Sequence, residues 1–321
     1  MLESIIGLKM MNEISLICAD SIEWMKKQNS CFVDLIIADP PYNLGKEYGN
    51  KSDKRGIDEH NNFMAEWVSE AERILKKNGS IYVFMGFKHI AKLYTILEEK
   101  GFIFQNWICW HYTQGMGKTK TFSPRHDDIL VFSKSTDFKF NLDDIRVPQK
   151  YYRSINNMRG ANPGDVWEFS HIHYCQENRQ KHPTQKPEGL IERIVRASSN
   201  PMDIVLDPFV GSGTTTRVCQ QLNRKCIGID INQDYISMAQ DRLKKIFNGF
   251  DSIDPRMKRV PLDLRDKELR EKYIINHIDW FLDKHNNCID DFLKEVEYLY
   301  GQKPKKNIKT ITKQNDLFNV L

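Results

Sequence analysis

Short apolar runs punctuate this chain at Ile14–Cys18, Asp34–Ala38, Ser80–Met85, Asp203–Leu206 and Cys226–Ile229. Runs of this length, bounded by turn residues, read as strands buried on both faces of a parallel sheet. Between them, apolar residues recur three and four apart. Phe63, Trp67, Ala71, Ile74 and Leu75 mark a helix, with Gly79 as its expected stop. Ile90, Leu93, Tyr94 and Leu97 mark another, ending at Gly101. Leu190, Ile191, Ile194 and Val195 form the stripe of a helix that Pro187 is placed to open. A helix through Leu222 follows, and then one that turns Ile236, Ala239, Leu243 and Ile246 inward. Near the N-terminus, Asp20 or Ser21 is positioned to cap a helix from Ile22. Phe102–Trp110 and Ile129–Phe132, rich in aromatic and branched residues, are expected to pair as strands. The alternation predicts an α/β fold, a doubly wound, mostly parallel sheet with a late antiparallel addition.

The sharpest local signal follows the second run. Asp39-Pro40-Pro41-Tyr42 sets two prolines, which permit neither helix nor ladder pairing, directly after a strand. The chain must leave the sheet there in a stiff, extended loop. A carboxylate, a carbonyl and an aromatic ring are thereby held at the strand's carboxyl end, where open α/β sheets bind their ligands. The fourth run ends similarly, in Asp207, and continues Pro208-Phe209-Val210-Gly211-Ser212-Gly213-Thr214-Thr215. Gly211 and Gly213 are expected to let the backbone pass close to a ligand, and the helix start beyond them suits an anionic group. Asp230 closes the next strand about 20 residues on, where a carboxylate accepts hydrogen bonds from ribose hydroxyls. Residues 203–222 and 225–247 thus form a nucleotide-binding half, although Gly-Ser-Gly alone fits many nucleotide sites.

Together and in this order, the two motifs resemble the amino-methyltransferases of DNA, over roughly residues 14–247. Those enzymes move a methyl group from S-adenosylmethionine to the exocyclic nitrogen of adenine or cytosine. The resemblance implies that Asp207, Phe209, Gly211, Ser212, Gly213, Thr214 and Asp230 hold this cofactor, with the Phe209 ring toward the sulfonium. It places Asp20 near the cofactor's adenine and closes His182–Pro187, with Thr184 and Lys186, over its methionine end. Catalysis falls to Asp39, Pro40 and Tyr42, with Pro41 beside the substrate base. The Asp39 carboxylate and the Pro40 carbonyl would accept hydrogen bonds from the amine and offset its developing charge. Tyr42 would stack on a base flipped from the duplex. The catalytic motif precedes the cofactor loop, the order of the family's beta class. The expected function is a site-specific DNA adenine-N6 methyltransferase of a restriction–modification system. Cytosine-N4 methylation, whose motif more often begins with Ser, is the nearest alternative, followed by RNA methylation. A catalytically idle DNA-binding regulator is a further one, against which the intact Asp39, Pro40 and Tyr42 argue.

The remaining segments are less regular. Residues 43–60 are polar and glycine-dotted, and read as a mobile loop beside the site. Gln114–Lys120 and Pro124–His126 form a small basic loop whose Lys118 and Arg125 suit phosphate or groove contact; an ordinary solvated hairpin loop reads the same way. From 134 to 181, basic, amide and aromatic side chains interleave, a composition suited to base edges and phosphates. In the family the corresponding segment chooses the recognition sequence. The expected layout is therefore a catalytic half of the core over 1–133, a target-recognition region over 134–181 and a cofactor-binding half over 182–248. A helical C-terminal extension with a basic tail follows over 249–321, where the resemblance lapses.

A chain of 321 residues has room for one large α/β domain with such an appendage. No apolar run approaches the ~20 residues that span a membrane. Residues 1–11 lack a signal-peptide layout, which points to the cytoplasm. The seven cysteines form no C-x-x-C pair and indicate neither a disulfide framework nor a zinc site. A net charge of +4 is compatible with double-stranded DNA as a partner without requiring it. A cognate restriction endonuclease and a monomeric or homodimeric state complete the expectations.

Overall fold

The computed structural model describes residues 13–251 and 254, apart from 44, 46, 49, 50, 53, 114, 116, 148–159, 173–178, 181 and 183. Its strands are β1 (Ile14–Cys18), β2 (Val33–Ala38), β3 (Glu47–Tyr48), β4 (Lys51–Ser52), β5 (Leu75–Met85), β6 (Ile103–His111), β7 (His126–Ser133), β8 (Val166–Glu168), β9 (Ile204–Asp207) and β10 (Lys225–Asp230). The helices are α1 (Ser21–Lys26), α2 (Ile57–Ile74), α3 (Ile90–Glu99), α4 (Glu188–Ser198), α5 (Thr214–Gln221) and α6 (Gln233–Leu243). Eight strands form one sheet in the order β1-β10-β9-β2-β5-β7-β6-β8, and β3 pairs separately with β4. β1, β10, β9, β2 and β5 are mutually parallel. Only β7 runs against its neighbours β5 and β6, and β8 returns parallel to β6. Every residue of β2 is buried, as a central parallel strand covered on both faces requires.

One compact unit comprises residues 1–145 and 164–254, and a second comprises 146–163 and 255–321. In the second, the described residues include a bridge between Val147 and Ala161. The expected helices and basic tail beyond residue 254 lie outside the described residues.

Several expectations shift. Gly79 is not a helix stop: α2 ends at Ile74, and Gly79 sits inside β5, where a Cβ would come within 2.8 Å of the Asp34 carbonyl oxygen. The segment 43–60 is not simply a loop, because it holds the β3–β4 ladder and the start of α2, with His60 buried. Ile246 lies beyond α6 and is 84% exposed, because the helix ends at Leu243, before the apolar stripe does. At the start of the 134–181 segment, two lysines are bound into the fold. Lys134 donates to the carbonyls of Glu72 and Leu75, and Lys139 pairs with Asp34 and Asp203. Those partners stand at the amino ends of β2, β5 and β9, the edge opposite Asp39. Around β8 the chain is anchored in the core: Trp167 and Phe169 are buried, and the Arg193 guanidinium lies over both rings.

Candidate active site

β2 and β9 are neighbours, with Leu35 opposite Val205 and Ile36 opposite Leu206. β5 lies on the far side of β2 and β10 on the far side of β9, so the strand order diverges between them. A ligand crevice opens at such a switch point, beyond the carboxyl ends of the strands. Asp39 follows β2 directly, and Asp207 ends β9. A small cleft opens here.

Asp39, Thr184, Lys186, Asp207, Phe209, Gly211, Ser212 and Thr214 line this cleft, all of them singled out by the sequence. Phe84, His182, Ile191 and Thr215 line it too; of these, His182 and Thr215 lie within the motifs that the sequence offers, without a role assigned to either.

Asp39 is held from two sides. The Tyr42 hydroxyl donates to its Oδ1 at 2.8 Å, and the Lys186 ammonium pairs with its Oδ2. Tyr42 is only 7% exposed. Its ring packs over Gly86, where a Cβ would lie 3.4 Å from Cδ2. Besides the ring that the sequence offered for stacking, Tyr42 thus has a hydroxyl that holds the Asp39 carboxylate. The buried Lys186 ammonium also stands 5.6 Å from the Tyr42 ring centre and 5.3 Å from that of Phe84. Pro40 is buried and Pro41 half-buried in the same loop.

The opposite wall is the loop after β9. Asp207 Oδ1 accepts from the Phe209 N–H at 3.0 Å. Burial pushes the Asp207 carboxyl up to about 7; hydrogen bonds from Thr215 and Phe209 oppose this, and the Asp39 and Asp230 charges add to it. The Phe209 ring meets Trp67 edge-on at 5.6 Å. Asp230 is raised by burial, while its oxygens accept from the Asn232 N–H at 2.8 Å and the Gly211 N–H at 3.0 Å. It thus anchors the glycine turn from the tip of β10.

The two glycines have positive φ, 45° at Gly211 and 76° at Gly213. Protein atoms also crowd both positions. A Cβ on Gly213 would lie 2.6 Å from the Ala239 Cβ in α6, and one on Gly211 would lie 2.7 Å from His182 Nε2. Gly213 is thus demanded by helix packing, and Gly211 by the His182 ring, which rests edge-on against Tyr235 at 4.6 Å.

Arg242 braces this wall, donating to the Ser212 carbonyl (3.2 Å) and Thr214 Oγ1 (2.9 Å) and pairing with Glu188 at 2.6 Å. Thr214 Oγ1 in turn donates to the Lys186 carbonyl at 3.1 Å, tying the connector to the glycine turn. His182 stood in the quoted His182–Pro187 stretch, but Arg242 carried no local signal.

Asp20 caps α1, accepting from the Ile22 and Glu23 N–H groups at 2.9 and 3.0 Å, and does not line the cleft. Thr184 N–H donates to His182 Nδ1 at 3.3 Å. Lys118 is exposed, and its N–H donates to Ser123 Oγ at 2.8 Å. Arg125 is half-buried and accepts from the Tyr112 N–H through its carbonyl. Their loop joins His111 to His126, beside the Met85–Asp128 pair at the end of β5. It therefore lies at the same sheet edge as Asp39.

Comparison with known proteins fits this geometry. The family model described as DNA methylase matches residues 33–241, spanning both cleft walls. The chain belongs to this DNA methylase family. A second model, D12 class N6 adenine-specific DNA methyltransferase, matches residues 188–321. Type II methyltransferase M.HpaI of Haemophilus parainfluenzae is 58% identical over 305 residues, covering 94% of this chain and 97% of that one. DNA adenine methyltransferase YhdJ of Escherichia coli K12 is 37% identical over 242 residues, 71% of this chain and 82% of that one. A crystal structure of M1.HpyAVI with SAM is 28% identical with a TM-score of 0.52, covering 72% of this chain and all of that one. The chain is thus an S-adenosylmethionine-dependent DNA methylase, related over most of its length to a type II methyltransferase.

Proposed function

We propose that the Asp39–Tyr42 loop of this DNA methylase captures the N6 amine of an adenine flipped out of duplex DNA. The cleft between β2 and β9 holds the methyl donor. The observation that carries this reading is the position of Asp39, a carboxylate at the switch point, across one cleft from the Gly211–Thr214 turn.

The residues present fit S-adenosylmethionine. The cleft joins carboxylates at two strand ends with the Phe84 and Phe209 rings, which suit a sulfonium cation. Asp230 lies at the tip of β10, where it remains able to accept from a ribose hydroxyl. The bound cofactor supplies a methyl carbon activated by its sulfonium.

The chain's own groups work on the amine. Its lone pair is delocalised into the adenine ring, so it is a weak nucleophile. The Asp39 carboxylate accepts one amine hydrogen and the Pro40 carbonyl the other, drawing the nitrogen toward tetrahedral geometry. As the N–C bond forms and the S–C bond breaks, the nitrogen becomes cationic, and Asp39 offsets that charge. The surplus proton leaves through Asp39, which is 21% exposed, to solvent. The Tyr42 hydroxyl keeps the carboxylate aimed throughout.

Target reading falls to the parts of 146–181 that flank β8, with the loop between His111 and His126. The enzyme acts on cytoplasmic DNA as a monomer or homodimer beside a cognate restriction endonuclease. Tritium transfer from labelled S-adenosylmethionine, with nucleosides identified by mass spectrometry, tests the reading. N6-methyladenine is the expected product, and N4-methylcytosine would overturn the base assignment.

A further inference from the structure

We infer that Lys186 is a positioning residue that occupies the amine-capturing carboxylate until the methyl donor arrives and then passes to the donor's own carboxylate. The inference rests on the reading of Asp39 as the amine acceptor.

The Lys186 ammonium is buried, paired with Asp39 Oδ2, and set over the faces of Tyr42 and Phe84. A flipped adenine would seek the same contacts: a hydrogen bond to Asp39 and the face of an aromatic ring. Ammonium and amine cannot both take that position. A carboxylate already neutralised by lysine also has little left to offer a nitrogen that turns cationic. Lys186 must therefore move off Asp39 before methyl transfer.

Its geometry permits a short swing. The backbone is pinned, since the Lys186 carbonyl accepts from Thr214 Oγ1, while the ammonium ends a flexible four-carbon stem. A buried ammonium that abandons its carboxylate needs another anion. The donor carries one. To attack from Asp39, the amine must meet the methyl on the sulfonium. The donor's α-carboxylate lies only two methylenes and one carbon from that sulfur, within a lysine's reach. Lys186 also lines the cleft together with Thr184 and the Gly211–Thr214 turn, so its new partner arrives on the wall to which it is tied. Binding of the donor thus frees Asp39, and by linkage adenine capture strengthens donor binding by the same factor.

The test uses full-length enzyme and a duplex carrying 2-aminopurine at the mapped target adenine. Its affinity and fluorescence are measured alone, with S-adenosylhomocysteine, and with the decarboxylated analogue of S-adenosylhomocysteine. S-adenosylhomocysteine should tighten DNA binding by about 5- to 150-fold, the usual span of such couplings, and raise the flipped-base signal. The analogue should do neither, although it still binds. Lys186→Met should capture the base without cofactor and show a coupling near one; Lys186→Arg, which keeps the charge, should retain coupling. Equal coupling by the analogue, or wild-type coupling in Lys186→Met, would overturn the inference. If Lys186→Met fails to fold, the two ligands compared on the wild-type enzyme still decide. Failure of the underlying reading shows separately, as full methyl transfer by Asp39→Ala.

Discussion

At the scale of single residues, Asp39 and Tyr42 act as a pair. Asp39→Ala should leave S-adenosylhomocysteine affinity near wild type while kcat falls by at least about 10²–10³, the usual effect of removing one preorganised electrostatic group. Tyr42→Phe removes a hydrogen bond to a charged acceptor, worth about 1.5–3 kcal/mol. Single-turnover tritium transfer should therefore slow about ten- to hundredfold; an unchanged rate would show that the hydroxyl does not aim the carboxylate. The sequence identified both residues, but not the bond between them, because nothing in a four-residue motif fixes the side-chain torsions. Asp207 makes a different prediction. Its carboxyl titrates near 7 in the fold against 3.8 when solvated. Between those values the folded state holds a proton that the unfolded state has lost, so stability falls as pH rises through the window. Asp251, also pushed up to about 7 by burial, adds to the same slope. Asp207→Asn should thus flatten the decline of Tm between pH 4 and 7, and Asp207→Asn/Asp251→Asn should flatten it further. An undiminished slope in the double variant would place ionised carboxylates in the folded protein.

At the scale of elements, the glycine turn after β9 joins packing to chemistry. The αL conformation of Gly213 and its contact with Ala239 make Gly213→Ala a folding mutation first. Overpacking costs about 1–3 kcal/mol and the left-handed backbone about 1–2 more. The urea midpoint should drop accordingly, with cofactor affinity falling as a consequence. A variant of wild-type stability that had lost cofactor binding would restore the view that the glycine spares room for the ligand. The strands of the core were legible because parallel strands buried on both faces leave uninterrupted apolar runs, as β2 does. β8 was not legible, since three residues at a sheet edge carry no period. Nor were the polar locks. Arg242 pairs with Glu188 across 54 residues, and Asp251 accepts from the Glu188 N–H across 63. Such pairings are set by tertiary approach and leave no spacing signal. The second helps carry the first compact unit past residue 248, to Asp254. Asp251 meets the start of α4, and Asp254 forms a buried ion pair with Arg193.

At the scale of the molecule, sheet polarity decides which basic residues can meet DNA. The composition of 134–181 made all its lysines candidates, because composition carries no direction. In the fold, Lys134 and Lys139 serve the edge opposite Asp39, where Lys139 ties Asp34 to Asp203. Lys118 and Lys120 are exposed on the loop at the Asp39 edge. Phosphate contacts release counterions, and each lowers the slope of log K against log salt by about 0.9. Lys118→Ala/Lys120→Ala should therefore weaken binding to target and non-target duplexes alike and flatten that slope by about 2. Lys139→Ala should leave the slope unchanged and instead lower the urea midpoint, because it strands the buried Asp34 carboxylate with one fewer partner. Exchange of 146–181 with the matching segment of a relative should alter the recognition sequence with the slope intact. A slope that responds to Lys139 as strongly as to Lys118 and Lys120 would mean that DNA reaches the far edge of the sheet. The assignment of the catalytic edge as the DNA-facing one would then fail, even with Asp39 still essential.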